Sequence, residues 1–317
     1  MVKEKHHQLR VSVAFALVYV LWGATYLAMR VAVEHIPPYV MGAARYVIAG
    51  PLMLAYCALA GRKIAITRQD AMRLLAIGIL LLSIGNMGVA SAEQYVPTGM
   101  AALIVACVPI WVAIIDAWVF KTRRLSLLGI TGLALGVAGL LALLWPRIVG
   151  THLDRLEILG FCILMIASAS WSLGSVFSGR WRLSVDVLTA SAWEMTFAGI
   201  INTLVALLTG GFHKATWNSH VLLAILYLVI GGSWLGFTAY IWLLEHVPTP
   251  KVATYAYVNP VVAVYLGWLF LNERVDAFML VGTVIIISAV ALVNLSKLRT
   301  LKSIPAEQEL SAVEPAG

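Results

Sequence analysis

Charge is what this sequence has least of. Asp, Glu, Lys and Arg make up 12% of its 317 residues, about half the share of an ordinary soluble domain. A chain so poor in charge cannot cover a water-facing surface, which excludes a soluble globular fold. The net charge of +7 is scattered over short breaks between apolar runs. No basic run sits on a soluble module, so nucleic acid is not an expected partner. Cysteines number three, Cys57, Cys107 and Cys162, each inside an apolar run. No C-x-x-C or Cys/His spacing is present, so no metal or redox site is expected and the thiols read as small core hydrophobes. A nucleophile elbow, a phosphate loop and an H-E-x-x-H pair are also missing. The chain is therefore not expected to be an enzyme, to carry a cofactor or to hydrolyse ATP.

Apolar residues, in contrast, make up 61% of the chain, and the mean hydropathy is +0.91. Lipid is the solvent such a chain is built for. A membrane-crossing helix needs about 20 mainly apolar residues. Ten segments meet that need: 11–30, 38–60, 72–92, 98–120, 125–146, 157–179, 187–210, 220–244, 252–272 and 276–296. We number them spans 1 to 10. The first run, Val11 to Met29, lacks an A-x-A-like cleavage site and is longer than a signal-peptide core, so it reads as a retained helix. Residues 1–10 precede span 1, a linker at 147–156 separates spans 5 and 6, and a polar tail occupies 297–317. With the N-terminus in the cytoplasm, sixteen of the 22 Lys and Arg fall on the cytoplasmic side and five on the other. That bias predicts a multi-pass protein of the plasma (inner) membrane with both termini cytoplasmic.

The spans repeat. VPTGMAALIVACVP at 96–109 returns as VPTPKVATYAYVNP at 247–260, 151 positions on. Trp22 in WGATYLAMR matches Trp171 in WSLGSVFSGR, and ARYVIAG at 44–50 matches WEMTFAG at 193–199. Gly85 matches Gly236. Spans 1–5 (11–146) and 6–10 (157–296) are therefore read as two copies of one unit. Five is odd, so the second copy enters the membrane inverted. Inverted repeats are a recurring architecture of secondary transporters, with the site near the midplane where the halves meet.

On these same motifs the chain resembles the EamA-type drug/metabolite transporter superfamily. The run TYAYVNPVVAV (254–264) and the step EM-x-x-AG (194–199) resemble its YedA-like subgroup of bacterial inner-membrane permeases. The resemblance spans about residues 10–296. It implies an all-α integral membrane fold of ten helices in two inverted five-helix repeats, with a central cavity lined mainly by spans 1–4 and 6–9. It also implies transport, in a superfamily whose members move amino acids, purines, sugars, nucleotide sugars and drugs. Small multidrug exporters of the superfamily carry an embedded Glu in their first helix. Span 1 here, VSVAFALVYVLWGATYLAM, has no acidic residue, so that coupling mechanism does not carry over.

Ionisable groups inside spans are costly and mark candidate sites. Arg45 in span 2 and Glu194 in span 7 stand at matched repeat positions with opposite charge. Arg45 suits a substrate carboxylate. Glu194 suits an ammonium group or the role of coupling group. The alternatives are that each snorkels to a boundary or that the two pair. Glu93 ends span 3 beside Gln94 and Tyr95 and reads as a solvated outer-loop charge, with a gate role as the alternative. Asp116 reads as an interfacial carboxylate near Lys121, Arg123 and Arg124. Trp22 and Tyr26 share a face of span 1, and Trp171 is the counterpart in span 6. Asn86 in span 3 and Asn259 in span 9 need partners in lipid, and Tyr255 shares a face with Asn259. These eight residues (Trp22, Tyr26, Arg45, Asn86, Trp171, Glu194, Tyr255, Asn259) form the expected substrate site. Pro109 and Pro260 remove helix hydrogen bonds and are expected kinks. Gly132 and Gly136 form a G-x-x-x-G step that suits either a homodimer contact or packing within the bundle. The expected function is secondary transport, in the direction of export, of a small polar metabolite such as an amino acid. Efflux of cationic drugs is the alternative within transport, and a membrane enzyme or sensor the alternative outside it.

Overall fold

The structure is a computed structural model that describes the backbone of residues 2–120, 127–149, 154–247, 252 and 255–302. Every described element is a helix. This follows from the solvent: lipid offers no hydrogen bonds, so each span must satisfy its own backbone. Eight helices are long and apolar enough to cross a membrane: His6–Val33, Pro38–Leu59, Arg68–Ala92, Thr98–Ala117, Leu127–Trp145, Arg155–Arg180, Val187–Leu208 and Ser219–Leu243. Two shorter apolar helices, Val258–Leu271 and Ala277–Leu292, follow them. These are spans 1 to 10, and the protein is a multi-pass membrane protein.

Helix boundaries reach beyond the apolar runs at both ends of the chain. The first helix starts at Val2 and the last runs to Lys302. No Pro or Gly interrupts VKEKHHQLR or NLSKLRTLK, so helix continues where hydrophobicity stops. The rest of the tail, the basic residues Lys121, Arg123 and Arg124, and Pro248 and Thr249 of the second V-P-T lie outside the described residues.

Some helix starts are fixed by side-chain caps. Thr67 Oγ1 accepts from Asp70 N at the start of span 3, and Asn218 Oδ1 accepts from Val221 N at the start of span 8. These caps stand 151 positions apart, so they belong to the repeat. Span 4 starts on Pro97, which offers no capping side chain. Its acceptor comes from the other repeat: Glu273 takes the N–H groups of Thr98 and Gly99 at 2.7 and 3.1 Å. A carboxylate there satisfies two orphan donors and complements the helix dipole.

The inversion is visible in how the two repeats touch. A β-carbon at Gly50 would stand 2.5 Å from Thr196 N, and one at Gly199 would stand 2.8 Å from Val47 N. Spans 2 and 7 therefore cross backbone to backbone at the two Ala-Gly steps noted in the sequence. As the residue number rises from 47 to 50 in span 2, its partner falls from 199 to 196, so the helices are antiparallel. Both pairs are related by the repeat offset of 149. The pseudo-two-fold axis thus passes between residues 48–49 and 197–198, at the centres of Pro38–Leu59 and Val187–Leu208. Spans 5 and 10 make a second antiparallel pair: Gly139 faces Ile286, and Gly282 faces Leu143. Gly136 of the G-x-x-x-G step faces Ile110 and Ala289. That glycine face is covered within the chain.

Spans 3 and 8 share a feature that sequence periodicity does not show. Each is π-wound through its middle, at Ile79–Asn86 and Leu228–Leu235, again 149 positions apart. π-turns leave carbonyls off the regular ladder and often mark functional positions. Here side chains from the opposite repeat take them up. Trp22 Nε1 donates to Gly232 O at 3.0 Å, and Ser170 Oγ donates to Leu80 O at 2.8 Å.

Candidate functional site

Arg45 is the centre of the site. It lies about three to four residues, or roughly 5 Å along the helix, from the two-fold axis. Its side chain is 4% exposed. Nε donates to Ser233 Oγ at 2.9 Å, and Nη1 donates to Asn86 Oδ1 at 3.3 Å. The guanidinium carbon stands 5.0 Å from the centre of the Tyr46 ring, and Tyr46 Oη donates to the same Asn86 oxygen at 3.1 Å. Both acceptors of Arg45 come from the π-wound segments of spans 3 and 8. Among the described residues no carboxylate pairs with it. An intramembrane cation without a counter-ion costs about 2.5–3.5 kcal/mol on insertion scales, and such a cost persists where the charge is used.

Glu194 takes the equivalent place on the other side of the axis, also buried at 6% exposure. In the antiparallel register Arg45 lies opposite residue 201 and Glu194 opposite residue 52. The two charges are thus offset by seven residues, about 10 Å along the pair. They do not pair with each other, and Glu194 makes no hydrogen bond or ion pair to any described residue. The third span approaches its backbone closely, since a β-carbon at Gly78 would stand 2.7 Å from Glu194 O.

An aromatic box adjoins the arginine. Trp22 lies 5.0 to 5.3 Å, centre to centre, from Phe237, Tyr240 and Tyr255, joining spans 1, 8 and 9. Gly232 links box and arginine. Its carbonyl holds the Trp22 indole, and a β-carbon on it would stand 3.1 Å from Arg45 Nη2. Tyr26 is within electrostatic range of both Tyr255 and Glu93. Of the eight expected site residues, the structure thus gathers Trp22, Tyr26, Arg45, Asn86 and Tyr255 around spans 1, 2, 3, 8 and 9.

The other three stand apart. Trp171 packs on Gly85 of span 3, as Trp22 packs on Gly236 of span 8, so the two tryptophans are exchanged between repeats and lie on opposite sides of the axis. Glu194 is separated from the box by the register offset. Asn259 acts as a clamp. With its amide oriented as its neighbours require, Nδ2 donates to Tyr19 O and Tyr255 O, both at 3.2 Å. The side chain of Tyr257 and all of Thr254 lie outside the described residues. The helix of span 4 ends at Val105 and restarts at Val108, one residue before Pro109, and Ser172 Oγ donates to Val108 O at 3.2 Å. Pro260 sits inside the helix Tyr255–Leu271.

Sequence reasoning missed Ser233, Tyr46 and Asn202. Asn202 in span 7 is fully buried, with neither amide atom hydrogen-bonded. Its signal was present, an Asn inside the apolar run GIINTLVALL. Ser233 could not be singled out, because only the fold brings it to Arg45. Replacing it tests that contact. Ser233→Ala leaves Arg45 Nε without an acceptor, and the expected loss is about 1–3 kcal/mol, seen as a lower melting temperature. In an Arg45→Met background the same change should cost little; an equal loss in both backgrounds would place the role of Ser233 elsewhere.

The two ends of the bundle are tied differently. At the end carrying residues 62–67 and 180–186, Arg62 pairs with Asp186 at 2.9 Å, and Ser184 Oγ donates to Asp70 at 2.6 Å. Asp116 pairs with Arg180 at 2.9 Å, so its described basic partner comes from span 6. At the opposite end Thr216 N donates to His35 O at 2.9 Å, and Gln94 Nε2 donates to Val33 O at 3.1 Å. Glu93 lies at this end, and the expectation of a solvated loop charge is corrected: it is 0% exposed. Arg30 and Tyr26 of span 1 and Glu273 lie within electrostatic range of it.

Comparison with known proteins supplies the context of this geometry. The model of the EamA-like transporter family matches residues 10–145 and 158–295. The uncharacterized inner membrane transporter YedA of Escherichia coli K12 is 37% identical over 285 residues, 89% of this chain and 90% of that protein. The uncharacterized transporter YoaV of Bacillus subtilis is 23% identical, covering 87% of this chain and 94% of its own. A probable amino-acid metabolite efflux pump of Salmonella typhimurium is 25% identical, covering 86% and 90%. A protein of known crystal structure aligns with a TM-score of 0.66 at 20% identity over 92% of this chain and 99% of its own, which shows a shared fold.

Proposed function

Because the chain belongs to the EamA-like transporter family, we propose that it is a secondary transporter of the inner membrane that exports a small polar metabolite, an amino acid foremost, by alternating access and without ATP. The observation that carries this reading is a buried arginine beside the two-fold axis, matched by a buried glutamate on the other side, neither paired with an opposite charge among the described residues. Arg45 lacks an anion; Glu194, offset by about 10 Å along the pair, faces a separate group of the substrate or the coupling ion. Arg45 offers its remaining donors to a carboxylate as a planar fork. Glu194 takes an ammonium group or carries the coupling proton. One relative's name, a probable amino-acid metabolite efflux pump, points to the same substrate class. The excess of Lys and Arg on one side favours cytoplasmic termini.

Rocking of spans 1–4 against 6–9 would expose the site to each side in turn. The π-wound segments of spans 3 and 8 fit that movement. Their carbonyls already bond side chains of the opposite repeat, and those bonds can be exchanged as the repeats rotate.

A second reading has its own observation. The box of Trp22, Phe237, Tyr240 and Tyr255 suits an organic cation by cation–π attraction, which favours drug efflux. One experiment separates the two. Purified protein in proteoliposomes is offered a panel of labelled amino acids and quaternary ammonium compounds, with and without a pH gradient. The expected result is counterflow of at least one amino acid, cut about tenfold or more, equal to about 1.4 kcal/mol, by Arg45→Ala and by Glu194→Gln. Movement of the cations alone would favour efflux. No movement of any solute would remove the transporter reading, and unchanged flux in both variants would remove the site while leaving the fold.

A further inference from the structure

The site just described has no use for Glu93, yet among the described residues this is the most deeply buried acidic side chain. It is 0% exposed, against 4% for Arg45 and 6% for Glu194. Neither carboxyl oxygen has a hydrogen-bond partner. An ionised carboxylate in that position would lose its hydration and gain nothing in exchange, at a cost of several kcal/mol. A protonated carboxyl group tolerates the same position far better.

The groups that face it do not neutralise it. They are Arg30 and Tyr26 of span 1 and Glu273 of the connection between spans 9 and 10. Arg30 Nε is already bonded to Glu34 at 3.0 Å. Glu273 is fixed by the N–H groups of Thr98 and Gly99, so it adds a like charge at this end. His35, on the same end, bonds the Val31 carbonyl.

We propose that Glu93 is a proton-binding site whose loaded form holds this end of the bundle closed, and that the proton leaves when this end opens to water. Opening breaks the Glu273 cap, the Gln94–Val33 bond and the Thr216–His35 bond. Water then reaches the carboxyl group, takes its proton and solvates the carboxylate left behind. Closing requires a proton to be taken up from water on the same side. Tyr26 is within electrostatic range of both Glu93 and Tyr255, so a substrate in the aromatic box can be felt at the switch through it. This coupling to substrate rests on the transporter reading; the proton site does not.

The sign follows from linkage. The closed form binds one proton more than the open form, so it is favoured as pH falls and loses up to about tenfold in population ratio per pH unit as pH rises past the titration. The test uses the full chain in nanodiscs and needs no substrate. Infrared difference spectra between acid and alkaline pH should show a carboxylic-acid carbonyl band that Glu93→Gln removes and Glu194→Gln keeps. Hydrogen-exchange protection of amides 98–104 should fall as pH rises in the parent and in Glu93→Asp. In Glu93→Gln, a near-isostere of the protonated acid, protection should be independent of pH. An unchanged band in Glu93→Gln, or the same pH dependence as the parent, would overturn the proposal. If the flux panel fails while the band and the protection behave as stated, the transporter reading falls and the proton site stands. Flux without pH-dependent protection gives the reverse.

Discussion

A valine in place of Gly199 or Gly50 should leave no folded protein to purify. Both glycines lie where two helix backbones touch, and the atoms a side chain would meet are main-chain atoms. A β-carbon at Gly50 would stand 2.5 Å from Thr196 N and 2.8 Å from Thr196 Cα; one at Gly199 would stand 2.9 Å from the Tyr46 carbonyl carbon. No rotamer relieves such a contact, so spans 2 and 7 must move apart along their whole length. Buried around this crossing are Met41, Tyr46, Met53 and Met195, none more than 1% exposed. Separation would open voids beside every one of them. Overpacking of a well-filled interior costs about 1–3 kcal/mol, which is the expectation for alanine. Valine should exceed that and consume most of the stability of an ordinary protein. Size-exclusion monodispersity and tryptophan-fluorescence melting read the result. Gly179, with open space around it, is the control, and Gly179→Ala should be neutral or slightly stabilising. A normal melting curve for Gly199→Val would mean that the crossing is not as described.

Arg45→Met should separate function from stability. The substitution removes the one group we assign to the substrate carboxylate, and flux should fall by about a hundredfold or more, equal to roughly 2.7 kcal/mol. Melting temperature should stay level or rise, because a buried cation without a counter-ion is replaced by an apolar chain of similar length. The groups left behind can manage. Asn86 keeps the Tyr46 hydroxyl, and Ser233 can turn its hydroxyl to a helix carbonyl. Arg45→Lys keeps the charge and loses the fork, so it should recover only part of the flux. A large loss of stability in Arg45→Met, with flux per folded molecule unchanged, would make the arginine a structural strut.

The long-range plan of the fold was legible because lipid imposes it. Ten runs of apolar residues needed no alternative to helix, and the matched W, V-P-T and A-G positions exposed the duplication. The Ala-Gly step shows how far that goes. Sequence showed that it recurs; only packing shows why, since each glycine makes room for the backbone of the other copy. The π-wound segments were invisible, because a one-residue change in winding leaves hydrophobic periodicity almost intact over eight residues.

For the site, sequence determined which residues were costly, and tertiary structure decided what each cost serves. Arg45 and Glu194 stood out as charges inside spans, but whether they pair, snorkel or stay apart depends on a seven-residue offset set by where spans 2 and 7 cross. Asn259 was costly for the same reason, yet it is spent on two carbonyls within the wall. Glu93 was misjudged because its neighbours in sequence, Gln94 and Tyr95, look like a loop in water. The charged and phenolic groups within range of it, Arg30, Tyr26 and Glu273, are distant in sequence and brought near only by the packing of the bundle. Solvation is a property of the three-dimensional surroundings, and a charge at the end of a span does not carry that information in its own stretch of chain.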